Sequence, residues 1–304
     1  MSTTSPEASK GALFGIGAYS MWGCFPLFFA LFEGVPAYEV LIHRIVWSSV
    51  FLAVVITLMR RWPVIRKALA HPKKLGRVLA CAVLIGINWG LYIYAVETHR
   101  VLQASLGYFL TPLVNVALGM MVLGERMVRL QAAAVVLAGV GILIQLVLVG
   151  SVPWISLMLA ISFGTYGLFR KQIELDGLSG LFVETLLLLP LGLLVLAWLS
   201  SLGVSHFIVD SRATVLLMAS GIVTALPLLA FAGAARRLRL ATLGFLMYIN
   251  PTLQFLIALW VFNEPMSATQ LASFVVIWTA LALYSWSTWQ SSPAAAIRRA
   301  RAAS

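Results

Sequence analysis

Apolar runs of about twenty residues, separated by short hydrophilic breaks, recur along the whole of this chain and leave it lipid as the solvent in which to fold. A helix needs roughly 20 predominantly apolar residues to cross a hydrocarbon layer of about 30 Å. Such stretches occur near 11–32, 37–58, 77–97, 103–123, 129–149, 152–169, 178–200, 213–235, 240–261 and 268–288. The pattern predicts an all-α integral membrane protein of ten transmembrane helices. The breaks around Ser151 and between Glu33 and Pro36 are too tight for a soluble domain. Composition agrees, with 61% hydrophobic and 10% charged residues against roughly 45–50% and about 25% in soluble domains.

A net charge of +11 does not point to nucleic acid, because the basic residues sit in the breaks, where they orient a membrane protein. With the N-terminus in the cytoplasm, outside segments hold only Arg100 and Arg212, and Arg44 lies within the second run; every other Lys and Arg of the 21 falls on the inside. An even number of crossings returns the C-terminus to the cytoplasm, giving cytoplasmic tails at 1–10 and 289–304. The basic 59–77 loop reads as an anchor attracted to anionic lipid, with regulatory docking as the alternative. The first run is too long for a signal-peptide core and is expected to stay as a helix. Cys24 and Cys81 lie in apolar runs without metal or disulfide spacing. No phosphate loop, metal-ligand spacing or Ser/His/Asp grouping is present, so neither an enzyme nor a cofactor is expected.

An internal repeat divides the chain. Ala104-Ser105-Leu106-Gly107-Tyr108 returns as Ala241-Thr242-Leu243-Gly244-Phe245. Pro112 is followed by Asn115 and Glu125, and Pro251 is followed at the same two spacings by Gln254 and Glu264. The units are 11–149 and 152–288. Each crosses five times, an odd number, so the second enters from the opposite face. Inverted repeats are a recurrent construction in secondary transporters, with the binding site near the midplane between them.

These stretches resemble the RarD-type transporters of the EamA group, in the drug/metabolite transporter superfamily. The resemblance rests on His43-Arg44 with Trp47-Ser48, Gly86 with Asn88-Trp89, and Ala104 to Glu125. In the second half it rests on Glu184-Thr185 with Pro190, Gly221 to Pro227, Arg237 to Gly244 and Tyr248 to Pro251. It implies a ten-helix protein of the bacterial inner membrane, both termini cytoplasmic, working by alternating access around a central cavity. The implied cargo is a drug, amino acid or other metabolite, usually moved outward. A passive channel and a membrane-embedded lipid-processing enzyme are the competing readings. A homodimer is compatible with the sequence but not dictated by it.

Arg44 leads the residues expected along the path, because a charge inside a membrane helix costs a few kcal/mol and is kept facing a cavity or a partner. A static ion pair or snorkelling would also account for it. His43, Trp47 and Glu39 share its helix, with Glu39 expected near the interface. Glu184, equally deep in the seventh run, suggests a cavity with a basic and an acidic end, and is the candidate for proton coupling. Asn88 with Tyr92, Tyr108 with Asn115, and Asn250 with Gln254 form polar ridges that serve either as ligand contacts or as interhelical glue. Trp22, Trp89 and Tyr166 are possible aromatic walls. Pro112 and Pro251 are hinges or fixed kinks. Gly86, Gly90 and Gly119 suit close helix contact, and Glu125 and Glu264 suit capping.

Overall fold

The computed structural model describes residues 6–70, 72–123, 129–148, 152–238, 242–243 and 246–290; Glu125, Gly124, Ala241, Gly244 and Phe245 lie outside them. The described chain is helical, with no strand. The helices are α1 (Pro6–Gly23), α2 (Phe25–Phe29), α3 (Ala37–Leu58), α4 (Trp62–Leu69), α5 (Pro72–Glu97) and α6 (Val101–Leu123). They continue as α7 (Arg129–Leu148), α8 (Trp154–Lys171), α9 (Gly177–Ser201), α10 (Ser211–Ala235), α11 (Ile249–Trp260) and α12 (Ala268–Gln290).

Eight spans among the described residues are long and apolar enough to cross a membrane, α1 and α2 together making the first. Two shorter or less apolar helices, α8 and α11, fall where the sequence places its sixth and ninth runs. The ninth differs from its expected bounds of 240–261. Helical backbone at 242–243 and 246 gives way to a turn at 247–248 before α11 begins at Ile249. Hydropathy registers composition, not backbone continuity.

Turn chemistry closes the ends. Asp176 and Asp210 cap α9 and α10 by accepting the amide hydrogens of Ser179 and Arg212. Ser267 and Gln270 exchange hydrogen bonds ahead of α12 as a capping box. Gly34 and Gly203 take positive φ, which glycine adopts without strain. Large apolar side chains such as Leu13, Val54, Val136, Leu194 and Val215 remain exposed around the bundle, the surface expected where the neighbour is an acyl chain.

The principal packings join the two halves of the chain. α3 lies on α9, α6 on α11 and α7 on α12. The others come in pairs: α6–α8 with α1–α11, α1–α10 with α5–α8, and α3–α10 with α5–α9. Exchanging α1, α3, α5, α6 and α7 in order for α8, α9, α10, α11 and α12 carries each of these packings onto itself or onto its pair.

Candidate functional site

A cavity of about 620 Å³ lies between the halves. Its inner wall carries Arg44, Asn88, Trp89, Tyr92, Tyr108 and Gln254, and its mouth carries Arg61, Arg170, Asp176 and Arg236. The mouth residues sit at the ends of α8 and α10 and the starts of α4 and α9, so the cavity opens at one end of the bundle.

Arg44, 3% exposed, is held where α3 crosses α10. A side chain at Gly221 would run into the backbone of Trp47. Glycine therefore lets the helices close, and one turn further on Thr224 Oγ1 accepts a hydrogen bond from Arg44 Nε at 2.8 Å. The guanidinium carbon lies 4.2 Å from the Trp89 ring centroid, 5.3 Å from that of Phe29 and 5.5 Å from that of Phe25, within cation–π range. Among the described residues no carboxylate pairs with it.

Asn88 acts as glue. Its amide nitrogen donates to the Leu159 carbonyl at 3.1 Å and to Ser162 Oγ at 3.0 Å, while Tyr108 donates to its oxygen at 3.2 Å. The Tyr92 hydroxyl and Gln254 Oε1 are buried with no protein partner among the described residues. Gln254 Nε2 donates to Asn250 at 2.7 Å.

Three expected path residues are not on the cavity wall. His43 is buried with neither ring nitrogen bonded, its ring 4.7 Å from that of Phe207. Asn115 is exposed, its oxygen turned toward Gly164 and Gly167 of α8. Glu184 is fully buried behind Tyr166, which donates to it at 3.2 Å, and Arg170, whose Nε lies 3.6 Å away. The expected acidic end is thus covered by its own partners. Pro112 lies inside α6, which continues through it. Pro251 sits in the first turn of α11, where its missing N–H removes no helical bond; its carbonyl accepts from Ser105 at 2.9 Å.

Arg170 organises the mouth. Its guanidinium packs on Gly180, where a Cβ would force it to move, and its Nη2 donates to the carbonyls of Leu175 and Asp176. Asp176 bridges to Arg61 at 2.8 Å. Burial pushes the Asp176 carboxyl up, but hydrogen bonds from Ser179 and the charge of Arg61 outweigh it and hold the group below its ordinary value.

The opposite end is closed. Glu39, 1% exposed, accepts hydrogen bonds from Ser205 Oγ at 2.9 Å and the His206 amide at 2.8 Å, with His206 Nδ1 also 2.8 Å away. This latches the 202–210 loop onto α3, and Phe207 lies over His43 and Trp47. Glu264 accepts from the first two amides of α6, at Val101 and Leu102; its burial raises the carboxyl against the pull of those amides. A depression of about 520 Å³ at this end is bordered by Phe29, the ring that also packs against Arg44.

Thr224, Arg170, Phe25, Phe29, Asp176 and His206 escape a sequence reading. Gly221 one turn before Thr224, and Phe25 four residues before Phe29, are local hints. Arg170 and His206 carry none, since both reach across a turn set by the tertiary fold.

The EamA-like transporter family matches residues 9–147. Over 302 residues the chain is 45% identical to an uncharacterised transporter of Vibrio cholerae, covering 99% of each. It is 45% identical to protein RarD of Escherichia coli K12 over 91% of this chain and 94% of that one. A chloramphenicol-sensitive protein RarD of Pseudomonas aeruginosa is 35% identical over 92% and 94%. A crystal structure at 17% identity shares the fold with a TM-score of 0.56, over 90% of this chain and 96% of that one. A helical bundle with a cavity between its halves, matched nearly end to end by these relatives, belongs to the EamA-like transporter family and is of the RarD type.

Proposed function

We propose that this membrane transporter exports a small organic molecule by alternating access, with ten crossings in two inverted five-helix halves and both termini in the cytoplasm. The observation that carries the reading is that the cavity reaches Arg44 from one end only, while the Glu39–His206 latch and Phe29 close the other. With the orientation given by the basic loops, the open end is cytoplasmic and the state is inward-open. The exchange symmetry of the helix packings supports two equivalent halves that rock against each other around the site. Glu184, behind the wall, is the group assigned to proton coupling, and Arg44, Tyr92, Tyr108 and Gln254 line the substrate's position.

Thiol labelling tests this. With Cys24 and Cys81 replaced, Leu228→Cys on the cavity wall is expected to react with a membrane-impermeant maleimide from the cytoplasmic face of inverted vesicles and not from the outer face of intact cells. Labelling from the outer face as fast as from the cytoplasmic one would overturn the inward-open assignment, and transport in proteoliposomes that shows no trans-stimulation would indicate a channel and overturn alternating access.

A further inference from the structure

The cavity wall carries five formally charged side chains: Arg44, Arg61, Arg170, Asp176 and Arg236. Arg61 is matched by Asp176 and Arg170 by Glu184. Arg44 and Arg236 are left without an acidic partner among the described residues, and Arg44 is the one enclosed. A cation held in a low-dielectric interior without a counter-charge is costly. Its Nε is committed to Thr224 and its faces to aromatic rings, so the free donors are the terminal nitrogens at the edge of the fork. That edge suits a planar carboxylate, which takes two parallel N–H donors.

A second donor waits nearby. Tyr92 is 2% exposed and lines the same cavity, and its buried hydroxyl has no protein partner among the described residues. Around these polar atoms the wall is aromatic, with Trp22, Phe163 and Phe231 facing the remaining space. Among the described residues no unoccupied carboxylate lines the cavity to receive an ammonium group, so a cation or the positive end of a zwitterion finds no counter-charge there.

We propose that the substrate of this cavity is a small organic monoanion with an aromatic or apolar body, its carboxylate bound by Arg44 and Tyr92. The proposal rests on the transport reading above and names the cargo of that same site. It also supplies a direction, because a negative-inside membrane potential drives an anion outward from a cavity open to the cytoplasm.

Three probes of one skeleton decide it: indole-3-acetate, indole-3-acetamide and tryptamine, which differ in charge but hardly in shape. Binding is read from thermal unfolding of the purified full-length protein, and movement from counterflow in proteoliposomes. The acid is expected to bind about ten- to a hundredfold more tightly than the amide, the range for hydrogen bonds to a charged group, with the amine weakest. Arg44→Gln is expected to erase the difference between acid and amide, and Arg44→Lys to retain it at lower affinity. Should Arg44→Gln fail to fold, the wild-type series and Arg44→Lys carry the test. Amide or amine binding as tight as the acid, an acid preference that survives Arg44→Gln, or no acid binding at millimolar concentration each overturns the proposal. Counterflow of the amine or amide alone would remove the anion assignment and keep transport. Arg44-dependent acid binding without counterflow would keep the anion site and remove transport.

Discussion

Gly221 and Arg44 show how little a membrane helix needs in order to specify a crossing. Without a hydrophobic force between helices, contact is set by how near two backbones come and which polar groups then meet. At Gly221 the meeting is with the Trp47 backbone, which has no side-chain freedom to yield. Gly221→Ala is therefore expected to cost about 1–3 kcal/mol through overpacking and to lower the unfolding temperature in detergent. Gly86→Ala meets only Leu188 Cδ1 at 3.4 Å and is expected to leave that temperature unchanged; equal effects at the two positions would refute this distinction. Arg44, Trp89 and Tyr108 were legible in the sequence because polar and charged groups inside apolar runs are conspicuous. Thr224 was not, because a threonine in a membrane helix commonly bonds its own preceding turn, as Thr57 and Thr98 do. Depth can be read from position along a run; the face a residue turns to its neighbours cannot.

At the level of elements, the ten apolar runs foretold nearly every helix, since hydrophobic length is a composition signal. The loops were less readable. Glu39 belongs to the first turn of α3 and suggests an interfacial carboxylate, yet it is buried by a loop more than 160 residues further along. The 202–210 loop is held by three contacts to that one carboxylate and by the Phe207 ring. Glu39→Gln is expected to weaken the latch while keeping its size, and so to raise labelling of Phe207→Cys from the outer face severalfold in a background without native cysteines. Labelling no faster than with Glu39 intact would show that the latch does not hold the outer end shut.

At the scale of the whole molecule, the sequence repeat is carried by a few residues, Pro112 and Pro251 with their followers, whereas the helix packings exchange in pairs across the two halves of the chain. The halves are interleaved and do not stand side by side: α1 packs on α10 and α11, and α6 on α8 and α11. Neither half encloses the cavity alone, since Arg44, Asn88 and Tyr108 come from one and Arg170, Thr224 and Gln254 from the other. Residues 1–149 produced separately are expected to be degraded in cells and to be rescued by co-expression with 150–304, as read by immunoblot. Stable accumulation of the first fragment alone would contradict this interdependence.

The cap that Glu264 places on α6 bears on synthesis itself. When α6 leaves the ribosome and enters the bilayer, the amides of Val101 and Leu102 have no acceptor of their own, and the carboxylate that will satisfy them lies 163 residues downstream of Val101. The nascent α6 is therefore expected to leave these amides to water until α11 and the Glu264 that follows it have been translated, which makes the closing of this end of the bundle a late event in the protein's assembly.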